Sequence, residues 1–385
     1  MKTQTKTFRP HFPVPETFLT GGDVFFDIET TGLGWRRSHL YLIGAAVYHA
    51  ETDCFEVTQW FADEPARELD LLEAFARFLR PFKRLVHYNG AGFDLPYLRK
   101  KYEFYHLEMP FDSMATLDLY QTFRPFRNVF GLSSMKQKSL EVFSGFSRED
   151  RFSGEELIGV YEEYLGSGNP ELLQALYLHN LEDVTGMVRL LSLWGILALF
   201  SGRFQVVKAQ VHAADPQNPG HNPACPDGAP ALTLGLVPEV PVFRSFQVHT
   251  DACRLLVSPE KTKLTVQGRQ GELKFFFPNY KDYYYLPLED AAIHKSIGAY
   301  VDAGHREKAK AANCYQRHFG LYFPQPAELL SPAFREDYNA KQLYFQWTEE
   351  LSLDSDFLFR YASGILSSLV TVPSALPKTE SLKRV

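Results

Sequence analysis

The chain has 385 residues, of which 45% are hydrophobic, 22% are charged and 15% are aromatic, and its formal net charge is −6. These values are typical of a folded globular protein of about two domains, and they exclude a fibrous or intrinsically disordered chain. The overall charge gives no signature of a nucleic-acid-binding protein.

The first half of the chain alternates between strand-like and helix-like segments. Three apolar runs predict an antiparallel meander, and the segments that follow alternate between helix and strand. The predicted strands are 24–30, 40–49, 54–61 and 84–89. The predicted helices are 66–82, 93–106, 134–143, 154–166 and a long one from Pro170 to about Leu199. This order predicts an α/β fold with a mixed sheet flanked by helices.

For the second half of the chain, the sequence predicts a Pro/Gly-rich linker at 204–235 followed by a smaller α+β domain. The runs CRLLVSP, KLTVQGR and ELKFFFPN predict a small meander of strands, and 288–318 is predicted to form one or two helices. The predicted organisation is an N-terminal extension (1–20), a first domain (21–203), the linker, a second domain (236–375) and a tail (376–385).

Cysteine usage and the N-terminus predict a cytoplasmic protein with no membrane segment. The four cysteines form no Cys-x-x-Cys pair, which argues against a zinc ribbon or a disulfide scaffold. They are Cys54, Cys225, Cys253 and Cys314. The first ten residues, MKTQTKTFRP, lack the apolar core of a signal peptide. The run LLSLWGILALF (190–200) is too short to span a bilayer and predicts a buried helix.

Two acidic residues interrupt the first apolar strand, VFFDIET. Asp27 and Glu29 are two positions apart, so in a strand they project from the same face. Two adjacent carboxylates repel each other unless a cation lies between them. The pair alone is a common pattern that a surface or capping role also explains.

Two further motifs supply acidic residues that could join this pair. In YNGAGFDLPYL (88–98), Asp94 opens a predicted helix, where a carboxylate also stabilises the helix N-terminus. In YLHNLEDVTGM (177–187), His179 and Asp183 are one helical turn apart and share a face. Either motif alone is more typical of structure than of a site.

Together these motifs resemble a known family. DIETTGL, N-x3-FD and H-x3-D are similar, in this order, to the three exonuclease motifs of the DEDD superfamily of RNase H-like 3′–5′ exonucleases. YNGAGFD and HNLEDV resemble, more narrowly, the YprB-type RNase H-like domain proteins. The resemblance covers about residues 20–200, roughly half of the chain.

The resemblance implies an RNase H-like fold and a metal-dependent hydrolysis of phosphodiester bonds. It implies four acidic metal ligands, which are Asp27, Glu29, Asp94 and Asp183. Their oxygen donors suit two Mg²⁺ or Mn²⁺ ions, about 3.5–4 Å apart, better than zinc. His179 would be the general base, since an imidazole accepts protons near neutral pH. It lies four residues before Asp183, whereas the histidine-type enzymes usually place it five before.

The same resemblance implies residues that bind the end of the substrate. Thr30 and Leu33 match positions that contact the terminal nucleotide, although packing at the end of a strand explains them equally well. Asn89 is a third candidate, with a hydrogen bond in the turn before Asp94 as its alternative role.

The C-terminal half contains two weaker indications of nucleic-acid contact. Residues 244–318 have 12 Lys and Arg against 8 Asp and Glu, a balance of 12 − 8 = +4, and an ordinary solvated surface is the competing explanation. FFFPNYKDYYYLP (275–287) could stack on unpaired bases or form a small core.

The sequence therefore predicts a 3′–5′ exonuclease whose partner is a nucleic-acid substrate, with single-stranded DNA or RNA ends as its expected form. An RNase H-like endonuclease that uses the same metal ions on an internal bond is the alternative enzyme. A catalytically silent nucleic-acid-binding module is the alternative of another class, and the presence of all four acids argues against it.

Overall fold

Two units make up the chain in the computed structural model, which describes residues 1–213 and 228–370. The first unit ends at Trp194, nine residues before the predicted boundary at residue 203, and the described residues of the second are 195–213 and 228–370. The middle of the predicted linker (214–227, with Cys225) and the predicted tail (376–385) lie outside the described residues.

The first unit contains a six-stranded mixed sheet flanked by helices. The strands, in the order β1-β4-β3-β2-β5-β6, pair antiparallel except for the parallel pairs β2–β5 and β5–β6. They are β1 (Lys2–Phe8), β2 (Asp23–Thr30), β3 (Leu40–His49), β4 (Cys54–Phe61), β5 (Arg84–His87) and β6 (Ala115–Asp118). The helices are α1 (Glu68–Leu79), α2 (Asp94–Phe104), α3 (Leu119–Phe123), α4 (Gln137–Ser144), α5 (Gly154–Ser167) and α6 (Pro170–Arg189). The predicted mixed α/β sheet is confirmed.

Strand β1 was not predicted, because KTQTKTF has no apolar face. It forms the edge of the sheet beside β4, with Lys2 pairing with Phe61 and Phe8 with Phe55. The alternating threonines suit an extended chain, and lysines are common on edge strands because they oppose pairing with other chains. The predicted N-terminal extension is therefore partly an edge strand of the first unit.

The predicted long helix ends earlier than expected and continues as further short helical segments. The apolar stretch from Pro170 to Phe200 is long and apolar enough to cross a membrane by composition, but 78% of its most apolar window is buried inside the protein. That burial is typical of a core helix. It agrees with the prediction of a buried helix at 190–200.

The second unit is built mainly from antiparallel strands. Its sheets have the orders β7-β8-β11-β10-β9, β12-β16-β17 and β14-β13-β15. The helices are α7 (Trp194–Phe200, which begins at the last residue of the first unit), α8 (Lys295–Gly298) and α9 (Ser355–Leu369). The strands are β7 (Phe204–His212), β8 (Ala231–Pro238), β9 (Phe246–His249), β10 (Cys253–Val257), β11 (Thr262–Gln267), β12 (Arg269–Phe276), β13 (Tyr283–Leu286), β14 (Ala291–His294), β15 (Glu307–Lys308), β16 (Tyr315–Gln325) and β17 (Leu343–Gln346).

Two predictions for this half of the chain are wrong in part. The predicted linker at 204–235 begins in β7 and ends in β8, and these two strands pair antiparallel, from Phe204 with Pro238 to His212 with Ala231. The predicted helices at 288–318 are replaced by β14, β15, the start of β16 and the turns between them, with α8 as a single helical turn. Pairing of β14 with β13 overrides the helix propensity of the alanine-rich sequence, and Asp290, at φ 49°, is the last residue of the turn between the two strands.

The aromatic stretch at 275–287 packs largely on itself. The ring of Phe277 stacks on that of Tyr283 with centroids 4.4 Å apart, and buried Cys314 and Ala292 lie in the same small cluster. These contacts are those expected of the small-core interpretation.

Candidate active site

Strand β2 places Asp27 and Glu29 on one face of the sheet. The alternate residues Phe26 and Ile28 project to the opposite face, into the hydrophobic core. There the ring centroid of Phe26 lies 5.7 Å from that of Phe75 on α1. The pairing of β2 with β3 shifts register between Glu29 and Thr30. Such an irregularity bends the strand and changes the direction of a side chain, and it is common beside active sites.

A glycine in β3 allows helix α6 to approach the carboxylate of Asp27. Gly44 pairs with Asp27 across the two strands, and a Cβ atom at Gly44 would come within 2.1 Å of the side-chain oxygen of Asn180. Asn180 Nδ2 donates a hydrogen bond to Asp27 Oδ2 at 3.0 Å. Gln59 on β4 donates to Asn180 Oδ1 at 2.8 Å, which fixes the orientation of the asparagine amide.

Helix α6 presents His179 and Asp183 to the same face as β2. Because the two residues are one turn apart, His179 Nε2 lies 3.2 Å from Asp183 Oδ2, and it also lies 3.7 Å from Glu29 Oε1. Donor atoms of Glu29, His179 and Asp183 all lie within 4.8 Å of one another. The four-residue spacing that departs from the histidine-type enzymes therefore does not keep His179 away from the acids.

Asp94 is the first residue of α2 and reaches back to β2. The preceding turn contains Asn89 in the left-handed conformation, at φ 59°, and its backbone carbonyl accepts from the Gly92 N–H at 2.9 Å. Burial raises the pKa of Asp94 to about 7, against hydrogen bonds from its own backbone N–H and that of Ile28, which lower it. The hydrogen bond from the Ile28 N–H holds the Asp94 carboxylate beside Asp27 on β2.

The acids of β2 share an unfavourable electrostatic environment. Burial raises the pKa of Asp27 well above its usual range, and the charges of Asp183, Glu29 and Asp94 raise it further. The pKa of Glu29 is raised for the same reasons, by burial first and then by Asp183 and Asp94. Four carboxylates are therefore close enough to oppose one another's ionisation.

The structure also brings in Asp150, which the sequence analysis did not identify. Its carboxylate is almost fully buried and accepts a hydrogen bond from His179 Nδ1 at 2.8 Å. Glu182 on α6 accepts from the backbone N–H groups of Glu149 and Asp150, each at 2.9 Å, and so holds this loop against the helix. Lys138 Nζ lies 3.1 Å from the same Asp150 oxygen.

Arg148, in the same loop, supplies the positive charge nearest to Asp183. Its Nη1 lies 2.7 Å from Asp183 Oδ1, and its Nε and Nη2 donate to the buried carboxylate of Glu141 at 2.6 and 2.7 Å. The guanidinium is thus held by one acid while it contacts another. No motif marked Arg148 or Asp150, because their positions depend on how the loop before α5 folds back onto α6.

The three candidate substrate-binding residues lie in different environments. Leu33 is 84% exposed, so its apolar side chain is free to contact a ligand. Thr30 Oγ1 donates to the Gly32 carbonyl at 2.9 Å, as expected for a role in the turn. The side chain of Asn89 is exposed, and its backbone N–H donates to Asp118 Oδ1 at 2.9 Å.

The donor set fits hard divalent cations. It contains carboxylate oxygens and one imidazole, with no thiolate among the residues named, and oxygen-rich sets suit Mg²⁺ and Mn²⁺. The raised pKa values show that the protein alone does not neutralise Asp27, Glu29 and Asp94. A bound cation would supply the missing charge.

Comparison with known proteins finds similarity over most of the first unit. Residues 24–195 match a family described as RNase_H superfamily, and the mixed sheet with flanking helices is an RNase H-like α/β fold. A structure of the family B DNA polymerase from the hyperthermophilic archaeon Pyrobaculum calidifontis has 17% sequence identity and a TM-score of 0.38, over 47% of this chain and 25% of the polymerase chain. The chain thus spans about a quarter of that polymerase. No curated protein sequence matches.

Proposed function

We propose that the protein is a metal-dependent 3′–5′ exonuclease that acts on single-stranded DNA or RNA ends. The observation that supports this most directly is the convergence of acids from β2, α2 and α6 around His179. The RNase H-like fold and the family match over residues 24–195 agree with a nuclease domain. The direction of cleavage and the preference for an end rest on the resemblance of the three motifs.

Asp27, Glu29, Asp94 and Asp183 would hold two Mg²⁺ or Mn²⁺ ions. When bound, such ions lower the pKa of an attacking water and stabilise the negative charge on the departing 3′-oxygen. Asn180 holds one oxygen of Asp27 and leaves the other for a cation. Arg148 contacts Asp183, and its positive charge partly offsets the negative charge of the four acids before cations bind.

His179 is well placed to take the proton of the attacking water. Its Nδ1 donates to Asp150, so the neutral imidazole has its free lone pair on Nε2, the atom that faces Glu29 and Asp183. The carboxylate of Asp150 also stabilises the imidazolium that forms after proton transfer. Asp150 is therefore a positioning residue for His179.

Leu33, Thr30 and Asn89 would contact the end of the substrate. The exposed Leu33 offers an apolar surface against which a terminal base can pack. Asn89 presents an exposed amide at the turn that leads to Asp94. These contacts would orient the last phosphodiester bond over the acids.

A nuclease assay with the purified full chain tests the proposal. A 5′-labelled single-stranded oligonucleotide of DNA or RNA should shorten stepwise in Mg²⁺ or Mn²⁺, and EDTA should stop the reaction. A closed circular single strand should remain intact, because it has no end. Cleavage of the circle would instead indicate an endonuclease, and no cleavage of any substrate would favour the silent nucleic-acid-binding module.

A further inference from the structure

A groove of about 820 Å³ lies on the first unit, and none of the four candidate metal ligands lines it. It is formed by the end of β5, by α3 and the turn after it, and by the start of α4. The residues that line it are Tyr88, Asn89, Tyr120, Arg124, Arg127, Asn128, Ser133, Ser134, Met135, Lys136 and Gln137.

The charge of this groove is opposite to that of the chain. Three cationic residues and no acidic residue line it, whereas the whole chain carries a formal charge of −6. Arg124 and Lys136 are exposed, and neither forms an ion pair within the described residues. Arg127 instead donates hydrogen bonds to the backbone carbonyls of Leu132 and Ser133, and these bonds stabilise the loop on this side of the groove. A groove with two unpaired cations attracts a polyanion.

The same groove contains an aromatic surface. The rings of Tyr88 and Tyr120 meet edge to face with centroids 5.9 Å apart. Tyr88 is held in place, because its hydroxyl donates to the Met135 carbonyl. Tyr120 is partly exposed in the groove, where its ring can receive an unpaired base.

Two lining residues connect the groove to the candidate active site. Gln137 donates to the backbone carbonyl of Asp183 at 2.7 Å and to Glu141 Oε1 at 2.9 Å. Asn89 lies in the turn that leads to Asp94. The groove therefore adjoins two of the elements, α2 and α6, that supply the acids.

From these observations we propose that the groove binds the single strand behind the nucleotide that is removed. Arg124 and Lys136 contact backbone phosphates, and Tyr120 stacks against a base. The ligand class is a single-stranded polynucleotide, and the proposal rests on the proposed nuclease function. Base stacking and phosphate contact are common to DNA and RNA, so the experiment includes both.

A pair of double variants tests the phosphate contacts. Binding of a fluorescent 12-nucleotide strand, of DNA or RNA, is measured by anisotropy in EDTA, where no turnover occurs. Arg124→Gln with Lys136→Gln should weaken binding about tenfold at 0.1 M salt, and the slope of log K against log[salt] should fall in magnitude by about 1.4, since each single-strand phosphate contact contributes about 0.7.

The matched control removes the same charge elsewhere in the first unit. Arg80 and Lys6 are exposed, form no ion pair within the described residues and do not line the groove. Arg80→Gln with Lys6→Gln should bind within about twofold of the unaltered protein. Equal losses in both double variants would show that only net charge matters and would overturn the proposal.

A second pair of variants tests the stacking surface. Tyr120→Ala should weaken binding by about tenfold, within the range measured for base–aromatic stacking, while Tyr120→Phe should bind normally because it keeps the ring. If the protein degrades strands but no groove variant alters binding, the groove proposal is wrong and the nuclease proposal stands. If the unaltered protein neither binds nor degrades any strand, both are wrong.

Discussion

Two acidic sites in this protein show opposite electrostatic behaviour. In the first unit, burial and the charge of Asp183 raise the pKa of Asp27. In the second unit, Asp290 accepts hydrogen bonds from the hydroxyls of Tyr285 and Tyr315, which lower its pKa, and Arg317 lowers it further. The protein itself supplies the partners that stabilise the Asp290 carboxylate, whereas the Asp27 cluster lacks sufficient positive charge. This difference separates a structural acid from a candidate metal ligand.

The sharpest test of this comparison is one substitution made at both sites. Asp27→Asn should lower nuclease activity by roughly a thousandfold, because the charge stabilisation that a bound metal provides is worth several kcal/mol. Asp290→Asn should leave activity within about twofold. Rates of release from an end-labelled single strand measure both variants. Comparable losses in the two variants would contradict the assignment of Asp27 as a metal ligand.

A smaller loss of activity is expected at Asp150. Asp150→Asn keeps the shape of the side chain but removes the charge that orients His179, so kcat should fall about 10–100-fold with little change in KM. Lys138→Gln is the control, because Lys138 contacts the same oxygen from the exposed side. A fall in KM and kcat together, or an unfolded variant, would argue against a positioning role.

Metal binding should alter stability in a pH-dependent way. The pKa of Asp94 is about 7 in the folded protein, against about 3.9 when unfolded, so the unfolded state ionises first. Without metal, this residue therefore makes the protein less stable as the pH rises from about 4 to about 7, and the penalty is complete above pH 7. A cation that binds the ionised carboxylates should offset it.

Thermal unfolding in EDTA and in Mn²⁺ measures this effect. At pH 8, Mn²⁺ at a hundredfold excess over its Kd should raise the melting temperature by about 5–10 °C. The rise should be smaller at pH 5.5, where protons compete with the metal. Asp290→Asn should keep the rise, and Asp27→Asn should lose most of it. The same rise at both pH values would contradict the proposed coupling.

The smallest expected effect is on the stability of the second unit. Asp290→Asn keeps an acceptor for Tyr285 and Tyr315 but removes the charge that strengthens both hydrogen bonds. Since Asp290 is 39% exposed, solvent screens part of the effect, and we expect a loss of about 1 kcal/mol in the free energy of unfolding. Urea denaturation measures it. A more stable variant would show that Asp290 is not satisfied by its neighbours.

Local sequence patterns predicted much of the first unit. The alternation in VFFDIET correctly placed Phe26 and Ile28 opposite Asp27 and Glu29, because side chains alternate along any strand. The i, i+4 spacing of His179 and Asp183 likewise placed both on one face of α6. Both geometries depend only on the period of one element.

The errors arose where pairing between distant segments decides the structure. Residues 288–318 have the composition of a helix, yet Tyr283 pairs with His294 across a turn, and this pairing makes Ala291–His294 a strand. β1 has no apolar pattern at all and is ordered by its pairing with β4. Strand formation depends on a partner strand that a local pattern does not show.

The sequence by itself contained the motifs, predicted the mixed sheet and, through their resemblance to a known family, marked the four acids as candidate metal ligands. Only the tertiary structure placed Asp150 behind His179, Arg148 against Asp183 and a cationic groove beside α2 and α6. Periodicity within a helix or strand is set by the local backbone, so it can be read along the chain. Contacts made by a loop that folds back onto a helix depend on the packing of both, and that packing exists only in the folded protein.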